Sequence, residues 1–253
     1  MQREVERHKI ANLLRLSVTL EKALIGMKSC AVKKKVKRII IKFEGIKMKA
    51  FDIPKFRGYL ADKYSKFTLI HNHLSNNKFR YAYPVIQFKL IDQVPIILAI
   101  GQGIEILKKV FFELDRLKIN GREMIINEKS VVLNEVDFGQ TEEPRLYQFL
   151  SPWMALNQEN YERFKSLLWK EQRTFLEALL KGNLKSLSKG FDYFIPDFEN
   201  ICVEANLKSV LRNFKNIKMI CFTGTFKTNF YIPDYLGIGK QTARGFGVVG
   251  ERK

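Results

Sequence analysis

Two of the chain's three histidines, His71 and His73, fall one residue apart in LIHNHLSNNKFRYAYP. In an extended segment residues i and i+2 point to the same side, so both imidazoles can face one site. Lys66, Lys78 and Arg80 place positive charge nearby in sequence, and Tyr81 and Tyr83 also share a face. Histidine titrates close to neutral pH and serves as either proton acceptor or donor. A bound metal fits this pair poorly, because no Asp or Glu cluster stands beside it to complete a ligand set. Metal-free RNA cleavage fits better. It needs a base for the ribose 2′-OH, an acid for the departing 5′-oxygen, and cations or N–H donors around the crowded phosphorane. A hydrated loop with two incidental histidines is the plain alternative.

The second chemical feature is GIGKQTARGFGVV, residues 237–249, with four glycines, Lys240 and Arg244. Small residues let a main chain approach another molecule closely, and the cations suit an anion. Three phosphate loops can be tested against it. The P-loop fails because Gln241 separates the lysine from Thr242 and the spaced glycine is missing. The dinucleotide fingerprint fails at Thr242 and leaves too little chain for its helix. A kinase loop belongs near the start of its domain. What remains is a loop whose N–H groups and cations hold a nucleic-acid backbone, or else a hairpin corner with solvated Lys240 and Arg244.

Charge favours the first of these. The 253 residues carry 44 Lys+Arg against 26 Asp+Glu, a formal net charge of +18, which points to a polyanionic partner. Cys30, Cys202 and Cys221 are scattered, with no C-x-x-C, so neither a disulfide framework nor a zinc site is expected, and a reducing cytoplasm is. No stretch has the length of a membrane span, and the N-terminal MQREVERHKIANLLRLSVTL is a poor signal peptide.

The elements that must position these residues follow from the sequence pattern. KRIIIKF (37–43) predicts a buried strand, and PKFRGYLADKY a short basic helix with Asp52 as N-cap and Pro54 in its first turn. YAYPVIQFKLIDQVPIILAIG predicts a hairpin turning at Asp92-Gln93. GIEILKKVFFELDRL repeats Ile104, Leu107, Phe111 and Leu114 at helical spacing, and Asn120-Gly121 marks a second hairpin. This order is the ferredoxin-like pattern with an added hairpin. Beyond the acidic turn Glu142-Glu143-Pro144, a strand (RLYQFLSPWMAL), one long helix (NQENYERFKSLLWKEQRTFLEALL) and two long strands follow. Tyr161, Phe164, Leu168, Phe175 and Leu179 are the apolar stripe expected of that helix. The expected fold is therefore α+β: two ferredoxin-like (RNA-recognition-motif-like) domains in tandem, the second more divergent. Residues 1–36 form an N-terminal extension, 37–141 the first domain and 142–253 the second.

The tandem arrangement, the near-terminal G-x-G-basic-x-x-x-x-G-aromatic-G loop and the stretch FRGYLADKYSKFTLIHNHLSNNKFRYAYPVIQFK together resemble the CRISPR-associated protein six family of endoribonucleases, and the last stretch its B-type branch. The resemblance covers about residues 37–249. It implies His73 as the acid/base residue, His71 as its partner, and Tyr81 or Lys66 as helpers. Gly237, Gly239, Lys240, Arg244, Gly245 and Gly247 are then the RNA-binding loop. The implied reaction is metal-independent and cofactor-free cleavage within CRISPR repeat RNA, giving a 2′,3′-cyclic phosphate and a 5′-hydroxyl. The implied partners are that RNA, other subunits of a CRISPR effector complex and a second copy of the chain, with no membrane. The alternative is a non-catalytic RNA-binding subunit of such a complex. A nucleotide-dependent enzyme is the discounted third reading.

Overall fold

The computed structural model describes residues 33–71 and 83–252. The expected strand is the end of a longer one, β1 (Lys33–Lys42), whose apolar residues alternate between two cores. Ile39 and Ile41 point into one core, and Val36 and Ile40 into the other. A strand buried on both faces reads as a near-continuous apolar run, as this one does. The first ferredoxin-like unit continues with α1 (Ile53–Lys63), the short α2 (Thr68–His71), β2 (Ile86–Ile91), β3 (Val94–Ile100) and α3 (Gly103–Glu113). A side hairpin, β4 (Arg116–Ile119) and β5 (Arg122–Ile125), precedes β6 (Ser130–Phe149). The strands lie antiparallel in the order β2-β3-β1-β6. Helices α1 and α3 cover one face, packing Phe56, Leu60, Leu107 and Val110 against Ile97, Ala99 and Phe88.

Both expected hairpin turns form. Asp92-Gln93 and Asn120-Gly121 take φ values of 49°, 66°, 55° and 75°, the left-handed pair that matches strand twist in a two-residue turn. Asp52 departs from its expected role. Its side chain makes no cap bond to α1; instead its carboxylate accepts from the Lys49 N–H and the Asn120 side chain, both at 3.1 Å, closing a tight turn at Ala50–Asp52.

β6 does not stop at Glu142-Glu143-Pro144. Its first half pairs with β1 from Ser130 to Gly139; its second half pairs with β8 (Ile217–Tyr231), with the register shifting between Gln140 and Arg145. At twenty residues it is about 65 Å long. The second unit consists of that second half, α4 (Gln158–Ser166), α5 (Trp169–Gly190), β7 (Val203–Phe214), β8 and the short β9 (Val249–Glu251). Its strand order, β9-β6-β8-β7, repeats that of the first unit. The divergence lies between β8 and β9, where the glycine-rich stretch stands in place of a second helix.

The expected single helix is two. Leu168 is extended (φ −66°, ψ 154°), its N–H is taken by Glu171 at 2.8 Å, and the Gln172 amide caps the carbonyls of Phe164 and Leu167. Leu168 consequently lies outside the core, 71% exposed, while Leu176, Leu180, Leu184 and Leu187 fill it. No described helix is long and apolar enough to cross a membrane.

The two units share one core across the inner face of the first sheet. Phe138 of β6 is fully buried at its centre, stacked on Phe191 at 4.2 Å and edge-on to Phe230 and Tyr193 at 5.1 and 5.5 Å. Phe138→Ala is expected to cost about 3–5 kcal/mol. Because the strand is common to both units, tryptophan fluorescence (Trp153 and Trp169) and far-UV circular dichroism should still report one urea transition. Two separated transitions would show that the units unfold independently.

Candidate nucleic-acid interface

The loop after β8 crosses from the second unit to the free edge of β2. Its main chain joins that edge, where the Phe88 N–H donates to the Ala243 carbonyl at 3.4 Å. The odd-numbered residues beside and within β2 face the loop, opposite to Ile86 and Phe88, which enter the core beneath α1. The Tyr83 hydroxyl donates to the Gly237 carbonyl at 2.8 Å, and the Gly237 N–H donates to Gln87 Oε1 at 3.0 Å. Lys89 Nζ donates to the Thr242 carbonyl at 2.8 Å. From the other side, Lys240 N–H bonds the Met154 carbonyl and Gly247 N–H the Pro152 carbonyl, each at 2.9 Å.

The loop glycines serve close approach within the protein itself. At Gly247 (φ 62°) a Cβ would stand 2.0 Å from the Ile238 carbonyl oxygen, which no side chain can accept. At Gly239 it would meet the Trp153 indole nitrogen at 2.4 Å, and at Gly237 the Lys89 amine at 2.5 Å. Gly245 is looser; its nearest neighbour is Ile53 of α1 at 3.2 Å. The loop's two cations differ in their surroundings. Lys240 is exposed, and Arg244 is half-buried with its guanidinium 5.8 Å from the Phe214 ring centre. Phe214, at the end of β7, stands edge-on to Phe246 at 5.7 Å.

Arg244 also acts on Arg57, one turn into α1. Burial and then the Arg244 charge bring the Arg57 pKa down to about 10; burial lowers that of Arg244 too. Both stay charged at neutral pH. Two guanidiniums from different units thus interact where the loop meets α1, at Gly245 and Ile53, and such an arrangement suits a shared anion such as a phosphate. Phe214 and Phe246 supply aromatic surface beside it.

Of the residues singled out in the sequence, the structure gathers Gly237, Gly239, Lys240, Arg244, Gly245 and Gly247 in this loop. Lys66 is exposed beyond the far end of α1 from Ile53, a helix about 15 Å long. His71 is the last residue of α2, with its side chain outside the described residues; His73 and Tyr81 lie outside them altogether. Tyr83, which bonds Gly237, is the first described residue after the histidine segment. Sequence reading missed Arg57, Gln87 and Lys89. Gln87 and Lys89 did carry a signal: polar residues at alternate positions inside an otherwise apolar hairpin strand.

Lys89 is fully buried, and burial pushes its amine well below the ordinary lysine value. The unfolded chain therefore binds more protons than the folded one up to about pH 10.4, so this residue's contribution to stability rises with pH across that window. Compared with Lys89→Met, the wild-type protein should gain stability as pH is raised from about 7 to about 10. Thermal melts of the two proteins at each pH measure this; parallel curves would mean that the amine titrates normally.

The fold class is that of tandem ferredoxin-like proteins. Csf5, a CRISPR-Cas type IV Cas6 crRNA endonuclease, shares the fold at 12% identity with a TM-score of 0.58 over 87% of this chain and 100% of that one. Closer matches define the family. The models for the Cas6b N-terminal domain and the Cas6b C-terminal domain match residues 34–137 and 139–252. A crystal structure of Cas6b is 40% identical, with a TM-score of 0.83, over 87% of this chain and all of that one. A second, of the CRISPR RNA processing endoribonuclease Cas6b, is 37% identical with a TM-score of 0.70 over the same shares. A protein of Methanocaldococcus jannaschii, described as uncharacterized, is 40% identical over 120 residues, 45% of this chain and 76% of its own length. The chain belongs to the Cas6b family.

Proposed function

We propose that this protein is an endoribonuclease that cuts CRISPR repeat RNA in precursor transcripts, without a metal ion, by attack of a ribose 2′-OH on the adjacent phosphate. Family membership supports the substrate class. The observation that carries the site is the meeting of Arg57 and Arg244 at the loop whose Gly237 accepts a hydrogen bond from Tyr83, the first described residue after the histidine segment. In this reading the arginine pair and Lys240 hold the RNA backbone, and the phosphorane charge is met by guanidinium and loop N–H donors. His73 takes or gives the transferred proton, with His71 as its partner and Tyr81 as helper. Lys66, exposed beyond the far end of α1, is the weakest member of the set. The products are a 2′,3′-cyclic phosphate and a 5′-hydroxyl, and DNA, lacking the nucleophile, is not cut. The division into 37–141 and 142–253 belongs to the same reading, and its boundary falls within β6 where the strand passes from β1 to β8.

Single-turnover cleavage of repeat RNA in excess EDTA tests the chemistry. His73→Ala should slow it by about 10²-fold or more, roughly 3 kcal/mol of transition-state stabilisation, with RNA affinity nearly unchanged. A need for Mg²⁺, or wild-type cleavage by the His71→Ala/His73→Ala double variant, would overturn the mechanism. Binding without any cleavage would favour the non-catalytic subunit.

Backbone contact is tested separately. Lys240→Ala with Arg244→Ala should weaken RNA binding and flatten the fall of log affinity against log salt by about two phosphate contacts. An unchanged slope would leave the loop as a purely structural corner.

A further inference from the structure

Phe51 is 61% exposed in the tight turn that leads into α1, and it is flanked by cations. Lys49 Nζ lies 5.9 Å and Lys55 Nζ 5.5 Å from its ring centre. The ring stands on the rim of a groove of about 300 Å³ between this turn and the β4–β5 hairpin. Met48, Ile119 and Met124 give the groove an apolar floor, Gln93 and Asn120 put amides on its walls, and Lys47 and Arg122 add charge. Asp52 is the carboxylate in the lining, and it is engaged by the Lys49 N–H and the Asn120 side chain. An exposed aromatic between lysines, over a cleft with an apolar floor and amide walls, has the composition of a nucleobase platform: π-face for stacking, amides for base edges, cations for the flanking phosphates.

Its position agrees with that use. Ile53, two residues after Phe51, packs against Gly245, and Arg57 follows one turn later beside Arg244. Arg57 is six positions from Phe51, at most about 7 Å to Ile53 and then one helical turn of about 6 Å, a separation of a few nucleotides along a bound strand. We propose that Phe51 is a stacking platform for an unpaired base of the bound RNA, with Lys49 and Lys55 on its phosphates. This rests on the reading of the chain as an RNA-cleaving protein, and it adds a single-stranded flank to the substrate.

The test uses the full chain and two fluorescently labelled probes of equal length: a single-stranded oligoadenylate and its abasic ribose-phosphate counterpart. Wild-type protein should prefer the base-bearing probe. Phe51→Ala should weaken that probe about tenfold and leave the abasic one unchanged, removing the preference. Phe51→Trp should keep it, which also guards against a folding defect. Equal wild-type affinity for the two probes, equal losses on both in Phe51→Ala, or no loss on either would overturn the platform. Repeat-RNA cleavage by the wild type is scored alongside. If it proceeds while Phe51→Ala binds normally, only the platform fails; if it does not proceed, the endoribonuclease reading fails whatever Phe51 does.

Discussion

A single strand determines how this molecule is put together. β6 closes the first ferredoxin-like sheet against β1 and opens the second against β8, so the two units hold one continuous backbone element in common. The change of partners falls on Gly139, which pairs with Lys33 on one side and Tyr231 on the other at φ 126°, a backbone conformation that favours glycine. With that strand fixed, Phe138 has to sit between the units, and the rings of Phe191, Tyr193 and Phe230 close on it. The glycine-rich loop then runs to β2, one of the two end strands of the sheet, with β7 at the other end. Covering that edge satisfies the Phe88 N–H and removes a template for unwanted pairing.

The loop's glycines and its cations answer to different demands. A side chain at 237, 239 or 247 would run into Thr242 and Lys89, Trp153 or the Ile238 carbonyl, all within the protein. Lys240 is exposed, and Arg244 lies half-buried at the margin of that packing, beside Phe214 and bonded to the Gln241 side chain. A sequence motif that looks like one device for grasping a ligand thus joins an internal fastening to an external charged surface. The fastening includes a fully buried lysine without a carboxylate among its described partners, a costly choice that a neutral side chain of similar shape would avoid.

Much of the fold was legible because it rests on local rules. The β-branched run of β1, the two left-handed turns at Asp92-Gln93 and Asn120-Gly121, and the helical spacing of α3 are short-range signals. The tandem α+β arrangement follows from their order. The break between α4 and α5 was not legible, since apolar spacing continues straight through Leu167-Leu168 and only the Gln172 and Glu171 side chains stop the helix there. The strand through Glu142-Glu143-Pro144 was equally hidden: those residues fall in the register shift between Gln140 and Arg145, and pairing with β8 resumes beyond them. At the site, the glycines and loop cations were readable as a motif. Arg57 was not: its importance comes from Arg244, 187 positions away in sequence and adjacent in space.

Sharing β6 also removes a mechanical freedom. Two-domain proteins joined by a linker can hinge, and a ligand bridging them must then bear the entropy of halting that motion. Here the bridge is a strand paired on both sides of the junction, and the loop fastens the units again at β2. The spacing between a cation on α1 and one on the loop is therefore set before any strand arrives. An anion that bridges those two cations meets a preset spacing and bears no cost of halting a hinge.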